Sequence, residues 1–204
     1  RAPLTDGLSF EYVHNPDNGL FRLDYIFEMG KTSDRALPVA LLYLHYLGTS
    51  RYSPAALKQG CFRLGIRFDV RHGDERSYIS LEGLDENLEA GIQLLEHLLA
   101  DVQPNESALR NVISDIRTKR QHAKTDRNFI LRKALANYAK YAAHSPFQYR
   151  LSAAELENLD PTDLTRRIRA LNTYEHEVYY YGPRPLEPVR ALLDRRHQRP
   201  ERRH

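Results

Sequence analysis

Residues 37–53 read LPVALLYLHYLGTSRYS, and the fold turns on what this stretch is. Leu, Val, Ala and Tyr dominate its first half, so it reads as a helix buried on most sides, and Gly48-Thr49 reads as its stop. Asp34 lies just upstream as an N-cap, which predicts a helix over 34–47. Ser53-Pro54 then opens a second helix, with the serine at the N-cap and the proline at the first helical position; Gly65 ends it. His45 is the one imidazole in the first helix. It has Gly48 at +3 and Thr49 at +4, so no glutamate or second histidine shares its face, and it reads as a hydrogen-bonded packing residue.

Working outward, the segments LSFEYVH (residues 8–14) and LFRLDYIFEMG (20–30) alternate and are rich in β-branched and aromatic residues. Asn18-Gly19 between them is a hairpin signal, which predicts two paired antiparallel strands. A second hairpin is predicted from IRFDVRHG and ERSYISLEG, joined at Gly73-Asp74. Ile66, Phe68 and Val70 face one way, and Arg67, Asp69 and Arg71 the other, so one face is wet. Asp85 reads as the cap of a helix whose stripe is Leu88, Ile92, Leu95, Leu99 and Val102. Glu86, Glu89 and Glu96 are assigned to its polar face. After Pro104 a helix runs to about His122, with Leu109, Val112, Ile113 and Ile116 inward. A further helix is expected over 129–142. Ser152-Ala-Ala-Glu155 is a capping box, and Asp160-Pro161 starts a helix ending near Asn172. TYEHEVYYYGP is a last strand, and 188–195 a final short helix.

Strands in hairpins and helices in blocks, in the order ββααββααααβα, give an α+β fold. The expectation is an antiparallel sheet packed on one face by helices, not a βαβ nucleotide fold. No linker divides the chain, so residues 1–194 are read as a single domain, and the basic run 195–204 as a disordered tail. The opening Arg1-Ala2-Pro3-Leu4 carries no signal-peptide pattern and reads as the start of a piece cut from a longer chain.

The 204 residues are 41% hydrophobic and 28% charged, with a net charge of +3. That charge is too weak to argue for nucleic acid, and the interior lacks a basic stripe interleaved with aromatics; the tail 195–204 could touch phosphates but reads first as a solvated end. No apolar run approaches the ~20 residues that span a bilayer, so no membrane is expected as partner. One cysteine, Cys61, excludes an internal disulfide and a Cys₄ or Cys₂His₂ zinc site. It lacks a partner histidine nearby and reads as a packed thiol. The other metal patterns fail as well. His176 begins HEVYY, with Tyr180 in place of the second histidine of H-E-x-x-H, and it lies in a strand, where i and i+4 stand ~13 Å apart. His72 begins HGDER, an H-x-x-E-H pattern with Arg76 at the second ligand, on a turn. There is no G-x-S-x-G elbow and no glycine-rich phosphate loop.

Taken in order, the opening strands, the helix closing on YLGTSRYS, LKQGCFRLGIRFDV, SYISLEGL, ENLEAGIQLLEHLLADV, the long helix after Pro104 and HEVYYYGP resemble one repeat of the insulinase/pitrilysin-type (M16) zinc peptidases. The resemblance covers residues 8–183. It implies an M16-type α/β roll, one of four in two halves that close around a peptide. In the family's catalytic domain, the helix before Gly-Thr bears H-x-x-E-H. Here Val39, Leu42 and Tyr43 fall at those places, and none binds zinc. Where the third glutamate ligand is expected, the sequence reads SDIRTKRQ, with Lys119 and Arg120 opposing a cation. The family's substrate-holding arginine and tyrosine, seven apart, fall on Cys61 and Phe68; Arg63 is the candidate substitute. The candidate substrate contacts are thus Arg63 and Phe68, with no catalytic residue and no metal ligand.

The resemblance therefore implies a non-catalytic domain with no cofactor of its own. Zinc would belong to a catalytic domain elsewhere in the parent. The implied partners are that domain, in cis or in trans, and an extended peptide. The implied compartment is the periplasm, if the parent is a typical exported bacterial member. Two rival classes stand beside this one. One is an enzyme with a metal site assembled from His45, His97 or His122. The other is a non-peptidase subunit that pairs with a separate active subunit.

Overall fold

The computed structural model describes residues 2–4, 8–142 and 146–197. Its strands are β1 (Ala2–Pro3), β2 (Ser9–His14), β3 (Leu20–Phe27), β4 (Ile66–His72), β5 (Ser77–Leu84) and β6 (His176–Gly182). The main helices are α1 (Leu37–Leu44), α2 (Pro54–Arg63), α3 (Leu88–Asp101) and α4 (Glu106–Thr125). After them come α5 (Arg127–Phe129), α6 (Ala136–Tyr141), α7 (Ala153–Glu157), α8 (Pro161–Ala170) and α9 (Leu186–Arg196). A π-helical segment, Ile130–Leu135, joins α5 to α6.

The six strands form one sheet in the order β1-β2-β6-β3-β5-β4. The β4–β5 hairpin forms as predicted, with Phe68 opposite Leu81 and Asp69 opposite Ser80. The predicted β2–β3 hairpin does not. β6 lies between the two strands, parallel to β2 and antiparallel to β3. Asn18 makes the turn, but for another purpose: its side-chain oxygen accepts from Leu20 N and Asn15 Nδ2, both at 3.0 Å. Asn15 N donates to Gly182 O at the end of β6. The chain thus steps over β6, and every pairing in the sheet is antiparallel except β2 with β6.

Register makes the two faces chemically distinct. Phe68, Leu81, Leu23, Tyr180 and Tyr12 align across β4, β5, β3, β6 and β2 on the helix-covered side. One residue along, Asp69, Ser80, Asp24, Tyr179 and Glu11 align on the other. Asp24 is buried there, held by Arg22 Nε at 2.8 Å and by the Ser80 hydroxyl. The apolar face packs under α1, α3, α8 and α9, whose Leu41, Leu44, Ile92, Leu95, Leu164, Ile168, Leu192 and Leu193 are all buried.

Helix ends are fixed by local chemistry. Ser53 accepts from Ala56 N, and Pro54 follows it at the first position of α2. Gly65, at φ +59, supplies the left-handed residue that turns α2 into β4. Ser152 and Glu155 complete the capping box of α7. Three boundaries differ from expectation. α1 starts at Leu37, because Asp34 accepts from Ala36 N and pairs with Arg167, and it tightens after Leu44 into turns in which Tyr46 N and Leu47 N reach back three residues. Asp85 is not the cap of α3, since its carboxylate is taken by Tyr180 Oη (2.9 Å) and Arg184 Nε (3.0 Å). α9 runs to Arg196, past the 194/195 boundary, because Arg195 and Arg196 both reach Glu89. The rest of the basic tail, 198–204, lies outside the described residues.

Candidate functional site

The site is built from the end of α1, the Gly-Thr turn, α2, β4 and α3. On α1, Val39 and Tyr43 are buried and Leu42 is half-buried. The Tyr43 hydroxyl is the single polar atom these three side chains offer. It donates to Asn105 O (2.7 Å) and accepts from Asn105 N (2.6 Å), and burial raises its pKa. A zinc ion needs three or four N, O or S donors converging on one point. This set supplies hydrocarbon and one committed hydroxyl, so it does not fit the metal. In the region of the expected third ligand, Lys119 is exposed and Arg120 donates to Leu151 O at 2.7 Å.

The Gly48-Thr49 turn is a joint. A Cβ on Gly48 would stand 2.5 Å from Tyr52 O, so only glycine fits there. Thr49 N donates to Tyr52 O, and Gln103 N donates to Gly48 O. The Thr49 hydroxyl oxygen accepts from Arg51 N and Tyr52 N, which uses both lone pairs, so its proton points to His97 Nε2 at 3.0 Å. That assignment puts the His97 proton on Nδ1. His97 is thus the strut of a turn. His45 packs its ring on Phe68, centroids 5.3 Å apart, and burial lowers its pKa. His122 is exposed on α4. Among the described residues, no three His, Cys, Asp or Glu side chains come together in a way that holds a metal ion.

Between α1, α2, α3 and β4 lies a cavity of 320 Å³. Phe68 and Cys61 are both on its wall, with His45, Lys58, Phe62 and Arg67 around the mouth. Burial raises the Cys61 pKa, which keeps the thiol protonated and unreactive. Arg63, at the end of α2, is exposed and is not among the lining residues.

A buried polar chain under the sheet was missed from sequence. Glu96, assigned to the solvent face, is buried. It accepts from Tyr25 Oη (2.8 Å) and meets His197 Nδ1 at 2.6 Å. His197 Nε2 meets His176 Nε2 at 2.8 Å, and His176 Nδ1 meets Tyr174 O at 2.8 Å. Tyr174 O can only accept, so His176 Nδ1 carries a proton. One more must lie in each of the other two gaps. Three protons over one carboxyl and two imidazoles make the trio net neutral, which is what burial requires. The missed signal was spacing: Glu96 is four residues after Ile92 and three before Leu99, on the apolar stripe.

No protein-family model matches the chain, and no curated protein matches it. Solved structures do. The peptidase M16 inactive domain from Pseudomonas fluorescens superposes with TM-score 0.78 at 15% identity, over 95% of this chain and 48% of that one. The periplasmic protease PqqL from Escherichia coli gives 0.76 at 13% identity, over 99% of this chain and 23% of that one. The ferredoxin protease FusC, solved in complex with Arabidopsis ferredoxin, gives 0.75 at 12% identity, over 96% of this chain and 22% of that one. The chain thus spans half or less of the length of these neighbours. Their shared architecture, met here over nearly every residue, makes this a chain with the fold of an M16 peptidase inactive domain.

Proposed function

We propose that the chain is a non-catalytic domain of an M16-type zinc peptidase, forming part of the wall of a substrate chamber. The observation that carries this is α1. In a fold shared with M16 inactive domains, the helix before Gly48-Thr49 holds Val39, Leu42 and Tyr43 packed into the core. Zinc and the hydrolytic chemistry then belong to a catalytic domain, on the same chain or a separate one. The peptide contacts proposed here are Phe68 and the edge strand β4, with Arg63 beside them. β4 ends the sheet, so among the described residues one of its sides has no strand partner, and an extended peptide can add there. Periplasmic residence is proposed on the same footing; among the described residues, no helix is long and apolar enough to cross a membrane.

Docking on the catalytic half is assigned to residues 127–141. None of these is buried, and Leu131, Leu135 and Tyr138 are more than half exposed. Such a run of large apolar side chains reads as an interface.

Metal analysis and a peptide-hydrolysis assay on the purified chain test the catalytic half of this reading. The expected result is neither stoichiometric zinc nor turnover; tightly bound zinc with hydrolysis defeats it. Leu131→Glu with Leu135→Glu tests docking. The double variant is expected to keep the wild-type melt, within about 0.5 kcal/mol for exposed sites, and to lose co-purification with a zinc-bearing M16 half.

A further inference from the structure

The cavity beside β4 has a composition that selects what enters it. Its floor is Leu57, Leu81, Leu95 and Leu98. At 320 Å³ it sits at the small end of the ~300–1,000 Å³ range of pockets that hold small molecules. It suits one large side chain rather than a cofactor. Ile66, Arg67 and Phe68 line it in succession. Consecutive strand residues project to opposite faces, so contact with all three places the opening against the rim of the strand. Among the described residues, β4 has a strand partner, β5, along one rim only. Phe62 stands over the opening, 87% exposed.

Charge at the mouth is unequal. Lys58 and Arg67 line it, and Arg63 follows on the same helix turn as Phe62. The acids nearby are Glu82, 3.6 Å from Arg67 at the reach of a loose ion pair, and Asp69 on β4. Lys58 Nζ lies 5.8 Å from the Tyr46 ring centroid.

We propose that this cavity seats a single large apolar side chain of an extended peptide added to β4, and that an acidic residue next to that side chain meets Lys58 and Arg67. The proposal rests on the peptide-binding role proposed above and names its substrate class. Where the family resemblance implies an arginine and a tyrosine, Cys61 and Phe68 turn the same ground into an apolar socket.

The test is fluorescence anisotropy of the purified chain with a labelled Thr/Ser-rich peptide carrying one Leu flanked by Asp. Changing that Leu to Ala is expected to weaken binding about tenfold or more, since it removes a buried branched side chain. Changing the Asp to Lys is expected to weaken it several-fold at low salt, and Lys58→Glu to reverse that preference. Cys61→Trp fills the socket and is expected to erase the Leu-over-Ala difference. The peptide series itself needs no protein variant, so the test stands even if Cys61→Trp does not fold. Equal binding of Leu and Ala peptides overturns the socket while leaving strand addition in place. An acid preference untouched by Lys58→Glu overturns the charge assignment. No binding of any peptide overturns the socket and the peptide-binding role together. Self-association that Cys61→Trp abolishes would give the socket to a second copy and overturn the proposal.

Discussion

Glu96 shows what one residue holds in place. It sits where α3, β3 and α9 meet, joined to Tyr25, to His197 and, at 3.4 Å, to Asn172 Nδ2. Removing one partner of a buried, hydrogen-bonded pair strands the other, at a cost of about 3–5 kcal/mol. Glu96→Ala is therefore expected to lower unfolding free energy by about that amount in a urea titration, whereas exposed Glu86→Ala should be close to neutral. Glu155 is the opposite case, partly exposed at the surface yet strongly perturbed. The Ser152 backbone N–H, then the Arg35 guanidinium, hold its pKa down at about 2, from an ordinary 4.5. A carboxylate depressed on folding stabilises fully above its unfolded pKa and loses that contribution as pH falls toward the folded one. Thermal melts should therefore show wild-type stability eroding between pH 4.5 and about 2, with a flatter profile across that window in Glu155→Gln. The capping box was legible because its partners lie three residues apart. The role of Glu96 was not, because its partners lie 71 and 101 residues away.

At the scale of elements, α1 is a packing helix tied to α4 through one hydroxyl. Tyr43→Phe keeps the ring but leaves Asn105 N without its partner, while Asn105 O keeps Leu109 N. An expected loss of about 1–3 kcal/mol follows, the cost of a buried polar group left unpaired, readable by chemical denaturation. Elements whose information is local were legible. The β4–β5 hairpin has its alternation and turn within 19 residues, and the α3 stripe repeats at helical spacing. The β2–β3 pairing was misread because Asn18-Gly19 specifies a turn without specifying what lies between the strands it joins. That is decided by β6, more than 150 residues on, whose Val178 and Tyr180 are buried on the same apolar face. The same limit applies to the candidate site. Spacing placed Cys61 and Phe68 seven apart, but only the turn at Gly65 brings α2 back over β4 to make one cavity of them.

For the whole molecule, β6 is the keystone of the sheet, bonded to β2 on one side and β3 on the other. A chain ended after Tyr174 loses the strand both need. It is expected to show no cooperative thermal transition by circular dichroism, although α3, α4 and the β4–β5 hairpin remain intact in sequence. Long-range pairing of this kind is slow to form, because loop closure over most of the chain must precede any gain. During synthesis, residues 8–14 leave the ribosome well before β6 and cannot take their place until residues 176–182 have emerged as well. Through that interval two strands that belong to one sheet are held apart by a gap one strand wide, open to any extended segment that passes, and a chaperone that shields this slot would raise the yield of the folded chain.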